Sequence, residues 1–378
     1  YVYQGVGSYR ENVRIETDGV KLLGEGCAIT GLGGGKFGGG KFPVLDGNVA
    51  GVNGPVIRVS SADVLIRGLE LTHSAGGFNA GASDALGLGQ PIDGVGILGE
   101  NADNLTIQCN RIHNSSYGVL GLYDPTEPGA TQDYTIQVLE NQIYDSAQGV
   151  ALYALGSGSG RLDALLEANV LEDISSIEIF GIAQNLADAR LTIRGNTLND
   201  PGAVMQTVFA NIINNAGYNI SGNTFREGGV IFPVASVIGN DLDLTISDNT
   251  LLEGPAPSVF QLVAGPVGGD LTLRVDDNYI RNGLMLATPG TVAGDAWISF
   301  SGNTLLDASG GAITLVGGQV SGNTTLLLDN NRIVDPQGAG ITAVASSLGG
   351  DFLASISGNE ISGAQGAGAT LVSGGVVN

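Results

Sequence analysis

Apolar residues recur two apart along most of the chain, and the phase of that alternation breaks at regular intervals. Segments such as LTIQCNRI, LTIRGNTL, LTISDNTL, ISFSGNTL and LLLDNNRI share one pattern. Aligned on their asparagine, they place Asn110, Asn141, Asn169, Asn196, Asn223, Asn249, Asn278, Asn303, Asn331 and Asn359 in one column, with steps of 25 to 31 residues. Leu69 and Cys27 head two earlier copies that lack the asparagine. The positions five before, three before and two after the column are apolar throughout: Leu105, Ile107 and Ile112 in one copy, Leu244, Ile246 and Leu251 in another. Apolar positions two apart predict a strand with one buried face, and the phase break predicts a bend. Asparagine tolerates the left-handed backbone region, so it is expected to make that bend itself. Stacked asparagines are also expected to hydrogen-bond from copy to copy.

A further strand follows eight to eleven residues later in most copies, as in GVLGLY, GVALYA, VFQLVA, AITLVG and GITAVA. Three short strands and three turns in about 28 residues describe one coil of a parallel β-helix. About twelve such coils tile the chain, so the expected fold is an all-β, single-stranded, right-handed parallel β-helix solenoid. No 3.6-residue period or crossover length is present for a βαβ reading, and a propeller blade needs about 40 residues. Residues 1–378 then read as a single domain, with early coils carrying long insertions over 1–132 and regular coils over 133–378.

Composition narrows the class. The chain has 62 Gly among 378 residues and a formal charge of −22, yet 43% of it is hydrophobic. That apolar content is too high for a disordered acidic tail, and no stretch reaches the ~20 apolar residues of a membrane span. The charge opposes binding to nucleic acid or to an anionic membrane. Glycine is accounted for by the three bends of each coil.

This coil pattern, over essentially the whole chain, resembles the right-handed parallel β-helix (pectin-lyase-like) superfamily typified by pectate lyases and polygalacturonases. The opening YVYQGVGSYRENVRI and VKLLGEG are similar to the first coils of pectin methylesterases. The resemblance implies the fold and an extracellular or cell-surface setting; function does not follow from fold. Relatives usually carry a helix that caps the first coil. Here the chain opens on a strand and LVSGGVVN stops inside a coil, which reads as a segment of a longer polypeptide. The catalytic strings of these families are missing: QDTL, DFIFG, GHG and RxPxxR do not occur. NTLND at residues 196–200 only mimics a polygalacturonase string, and Asp124-Pro125-Thr126 lacks the histidine of an epimerase DPH.

Three places could carry chemistry. The first is a column four residues after the asparagine, holding Asp145, Asp173, Asp200, Glu227, Glu253, Asp307 and Asp335. A second acidic column, eight residues before it, holds Asp133, Asp188, Asp241, Asp270, Asp295 and Asp351. Carboxylates ~5 Å apart repel by about 1 kcal/mol per neighbour in a water-like dielectric. Two readings offset this: hydrogen bonds from turn N–H groups, or Ca²⁺ held between coils by hard oxygen ligands. Ca²⁺ is the only cofactor either reading names. The second place is the set of insertions at residues 31–53, 74–91 and 124–132, which bring His73, Asp84, Asp93, Asp124 and Glu127 into the same third of the chain as Arg111 and His113. An acid–base site for a uronic-acid polymer needs such groups; the other reading of His113, beside apolar Ile112, is a turn cap. The third is a strip of Thr314, Thr342 and Thr370 beside Val316, Val344 and Val372, which reads as β-propensity, a lateral protein contact, or an ice-binding array. Cys27 and Cys109 fall two coils apart, roughly 10 Å, too far for an unstrained disulfide, so two buried thiols are expected. Sequons at Asn104, Asn114, Asn219 and Asn323 read as incidental to an Asn-rich repeat.

Three functions follow as expectations. The leading one is a non-catalytic structural or adhesive module of a large secreted or surface protein, partnered by itself or by other surface proteins and modulated by Ca²⁺. The alternative is a polysaccharide lyase, hydrolase or epimerase using the early loops, and the third is a phage tail-fibre body.

Overall fold

The computed structural model describes residues 7–26, 42–48, 54–73, 94–124, 133–156, 158–255 and 257–373. The chain forms two compact units, one of residues 1–186 with 195–197 and one of residues 187–194 with 198–378. Each is a stack of parallel β-coils, and no helix occurs among the described residues.

In the first unit, the strands that precede the column pair in sequence order: Lys21–Leu23, Leu65–Arg67, Leu105–Gln108, Asp133–Leu139 and Arg161–Glu167. A second sheet receives the strands that follow it, including Glu70–Thr72, Arg111–Tyr123, Gln142–Leu155 and Val170–Gln184. These last three are long because the two strand segments after the bend join into one ladder. The coil therefore has three strand segments but only two sheets. In the second unit the segments separate again, as in Thr250–Leu251 and Ser258–Ala264. An additional column of parallel bridges links Ile212, Ile238, Val267, Val292 and Val320. The sequence pattern did not reveal it, because one inward residue per coil has no period of two.

Burial matches the alternation. In the eleven copies from Leu69 to Asn359, all of the thirty-three positions five before, three before and two after the column are buried except Ala354, Ile356 and Ile361. Those three belong to the last coil, which has no further described coil stacked on it.

The asparagine column forms the ladder that was expected. Asn249 donates from Nδ2 to Asn278 Oδ1 at 3.0 Å and to the Ile220 carbonyl at 2.8 Å. Its own Oδ1 accepts Asn223 Nδ2 and the Asn223 backbone N–H, both at 3.0 Å. The same arrangement runs through Asn110, Asn141 and Asn169 in the first unit. From Asn110 to Asn331 the amides are buried, and each one in the middle of the stack is satisfied on both its oxygen and its nitrogen, which suits an uncharged side chain that both donates and accepts.

The bend itself corrects the sequence reading. The residue in the left-handed region is the one before the asparagine: Cys109, Glu140, Ala168, Asp248, Asp277 and Asn330, with glycine at 68, 195, 222, 302 and 358. The asparagine has to keep ordinary strand geometry so that its side chain points inward along the stack. The left-handed residue points outward, where side-chain chemistry is free to vary.

Candidate functional site

The described cluster that comes nearest to a chemical site lies on the solvent face of the first unit. Register places Arg111 beside Glu70 and Gln142, and His113 beside Tyr144. Glu70 Oε1 lies 3.3 Å from His113 Nε2, and Asn114 Nδ2 lies 2.8 Å from His113 Nδ1. In the neutral imidazole, Nδ1 accepts from the Asn114 amide and Nε2–H donates to Glu70. Thr72 Oγ1 lies 3.4 Å from the same Nδ1. The Tyr144 ring stacks on the imidazole, centroids 4.6 Å apart and planes within 8°. The Glu70 carboxyl is held below its ordinary value by the hydrogen bond from His113; partial burial opposes this, and the charges of His113 and Arg111 add to the lowering.

Both ring nitrogens of His113 are thus occupied within the protein, and its side chain is only 13% exposed. A general base must present a lone pair to substrate, and this one is taken by Asn114. Arg111 lies over Phe42, with its guanidinium carbon 4.6 Å from the ring centroid. His73 is separate: its Nδ1 lies 3.4 Å from Asp46 Oδ1, with Arg10 on the other carboxylate oxygen. Asp124 belongs to another group again. Its N–H donates to Asn101 Oδ1 at 2.7 Å, next to the Tyr123–Tyr134 stack. Asp84, Asp93 and Glu127 lie outside the described residues. The cluster therefore gathers Arg111 and His113 from the sequence candidates and adds Glu70, Tyr144 and Phe42. Glu70 was findable, since it occupies the same repeat position as Arg111. Phe42 and Asp46 adjoin an insertion that has no repeat to align.

The acidic columns have backbone explanations. Four residues after the asparagine, Asn114, Asp145, Asp173, Asn282, Asp307 and Asp335 all have φ between 48 and 55°. Asp and Asn tolerate that conformation best among residues other than Gly, and beyond Asp200 and Glu227 it is Gly202 and Gly228 that adopt it. Arg281 reaches Glu253 at 3.1 Å and Asp307 at 3.7 Å, placing a cation of the protein's own between acids of the flanking coils.

The other column is a second ladder in the second unit. Asp241 Oδ1 accepts the Asp270 N–H at 2.9 Å, Asp270 accepts Asp295 at 2.8 Å, Asp295 accepts Asn323 at 2.7 Å, and Asn323 accepts Asp351 at 3.0 Å. A Cβ at Gly269 would lie 2.2 Å from Asp241 Oδ1, and one at Gly294 2.1 Å from Asp270 Oδ1. Each Gly-Asp pair thus reads mechanically: the glycine leaves room for the carboxylate of the preceding coil, and the aspartate donates its N–H to it. Among the described residues no group of three or more His, Cys, Asp or Glu side chains is gathered to hold a metal ion.

Cys109 overturns the expectation of buried thiols: it is disulfide-bonded. The only other cysteine in the sequence, Cys27, lies outside the described residues. Coil spacing alone was the basis for expecting thiols; Cys109 is buried as expected, but its sulfur is bonded rather than free.

The second unit holds an apolar cavity. The cavity within its last coils is lined by Leu315, Val320, Leu326, Leu348 and Phe352 among others, and no titratable side chain faces it. Its two solvent faces differ sharply. On the sheet before the asparagine, outward rows carry the charges of Asp243, Arg274, Asp276 and Asp329 alongside Trp297 and Leu353. On the other sheet, the rows run Val234, Val263 and Thr288; Gln261, Leu286, Thr314, Thr342 and Thr370; and Val316, Val344 and Val372. Comparison of the chain with models of known protein families, with characterised proteins and with solved structures finds no match.

Proposed function

We propose that the chain is a non-catalytic structural module of a secreted or cell-surface protein, built on a parallel β-helix of the pectin-lyase-like type. One observation carries the reading. The groups best suited to acid–base chemistry, His113 and Glu70, are joined to each other, and the remaining nitrogen of His113 is taken by Asn114. The disulfide at Cys109 supports an oxidising compartment. Ca²⁺ has no part in this reading, because the acidic columns are accounted for by turn geometry and by N–H donors.

The test is turnover of uronic-acid polymers. Alginate, pectin and polygalacturonate are incubated with the protein and assayed for unsaturated products and new reducing ends. No turnover above a heat-inactivated sample is expected. Turnover that disappears in His113→Ala or His73→Ala assigns an enzyme and overturns the proposal. The enzyme reading keeps one observation in its favour, the outward-facing set Glu70, Arg111, His113 and Tyr144, and this assay addresses that set directly.

A further inference from the structure

We infer that the uncharged sheet face of the second unit is a self-association surface, and that its occupant is the same face of a second copy. Six registered strands, from Thr224–Ala235 to Ala369–Ser373, present it. Their outward positions from Val230 to Val372 carry no charged residue in a chain whose net charge is −22. β-Propensity does not explain this. The other sheet of the same coils has the same strand geometry, yet its outward rows carry Asp243, Arg274, Asp276 and Asp329. Two of the apolar side chains, Val316 at 43% and Val372 at 48%, are exposed outright.

The partner follows from charge and area. A basic partner would be drawn to the acidic turn columns, and an anionic lipid surface would be repelled by the whole molecule. Two copies of so acidic a chain can approach closely only where neither presents a carboxylate, and this face meets that condition. Strands ~4.8 Å apart, with two or three outward positions each, give roughly 500 Å² per copy, or about 1,000 Å² per pair. That is the lower bound for a specific interface, so the dimer is a concentration-dependent one. A flat sheet meets its like face to face at about 10 Å, with strands crossing by roughly 30°. In a two-fold arrangement, residues at the centre of the face, Leu286 and Thr314, meet their own copies.

This inference deepens the structural reading, and the two fail separately: polymer turnover tests that reading, and solution mass tests this one. Sedimentation equilibrium is run from low to high micromolar protein on the parent chain, on Thr314→Glu at the centre of the face, and on Thr325→Glu on the outward row of the other sheet. The parent is expected to pass from monomer to dimer. Thr314→Glu is expected to raise the dissociation constant at least about tenfold by setting like charges opposite each other, and Thr325→Glu to leave it unchanged. Circular dichroism and melting establish that each variant is folded. If Thr314→Glu does not fold, Thr314→Cys replaces it and is expected to give a disulfide-linked dimer that Thr325→Cys does not. A parent that stays monomeric, or equal effects of the two glutamates, overturns the inference. A monomer that co-sediments with phosphatidylcholine vesicles unless Thr314 is Glu assigns the face to lipid and overturns it as well.

Discussion

Asn249→Ala tests whether the buried amide ladder holds the coils in register. The substitution removes two hydrogen bonds that Asn249 donates, to Asn278 and Ile220, and two that it accepts from Asn223. Four buried groups then lose a partner: the Asn223 backbone N–H, one Asn223 Nδ2–H, the Ile220 carbonyl and Asn278 Oδ1, of which the last keeps the Asn249 backbone N–H and three are left unmatched. At about 1–3 kcal/mol for each buried group left unmatched, and with some relief from entering water, the expected loss is about 3–6 kcal/mol. The matched control is Asn323→Ala in the exposed ladder, which gives up one bond to the Asp351 N–H and is expected to cost about 0.5–1 kcal/mol. Asn249→Asp adds a sign. It keeps the acceptor for Asn223 but sets a carboxylate against Asn278 Oδ1 and the Ile220 carbonyl, so it is most destabilising when ionised and recovers as pH falls. Urea denaturation read by circular dichroism measures the differences, with hydrogen exchange reporting which amides open. A stack of coils unfolds locally as well as globally, so an early transition with a lower m-value counts as loss of register. If Asn249→Ala falls within about 1 kcal/mol of Asn323→Ala, the ladder is decoration and the reasoning is wrong.

Four further outcomes are expected. Gly269→Ala forces a Cβ against Asp241 Oδ1 and should cost about 1–3 kcal/mol; adding Asp241→Ala should cost less than the sum, and full additivity would refute the steric account. Because the Glu70 carboxyl is held below 4.5, its contribution is present above pH 4.5 and lost as pH falls through its folded value; the melting-temperature gap between parent and Glu70→Gln should close in that direction, and a gap constant with pH would refute it. Burial, with Asp133, Asp103 and Asp124 adding, pushes Tyr123 up to about 12, and burial carries Tyr134, Tyr153 and Tyr218 upward too; their stabilisation is complete below pH 10 and lost as pH rises through the folded values, so tyrosinate absorbance should rise in two phases, and one phase near pH 10 for all ten tyrosines would contradict it. Chelation or added millimolar Ca²⁺ should leave the melting temperature unchanged, and a rise with Ca²⁺ would restore a cation to the Asp145–Asp335 column.

The fold was legible because the signal is repeated. A single LTIRGNTL would be one ambiguous strand, whereas ten aligned asparagines fix strand, bend and neighbour together. Even Arg111 beside Glu70 was implicit, since both follow the column by one residue. Two things stayed hidden for definable reasons. The left-handed residue was misplaced because tolerance for that conformation was credited to Asn, while burial demanded that Asn face inward; Glu140, Ala168 and Asn330 show that the outward neighbour accepts very different residues. The cluster around His113 draws on Phe42, which lies under Arg111 and which no period predicts. The Gly-Asp pairs were visible as composition, but the reason for the glycine appears only when the preceding coil's carboxylate is seen in the space a Cβ would take.

The two ladders of the second unit point in opposite directions along the stack. In the inner one, the oxygen of the later coil receives hydrogens from the earlier one, as Asn278 does from Asn249. In the outer one, the oxygen of the earlier coil receives the later coil's hydrogen, as Asp241 does from Asp270. A chain synthesised from its N-terminus therefore always offers the emerging segment a prepared seat: a waiting amide donor inside and a waiting carboxylate acceptor outside, one repeat apart in function. A coil slipped by one residue would miss both contacts at once.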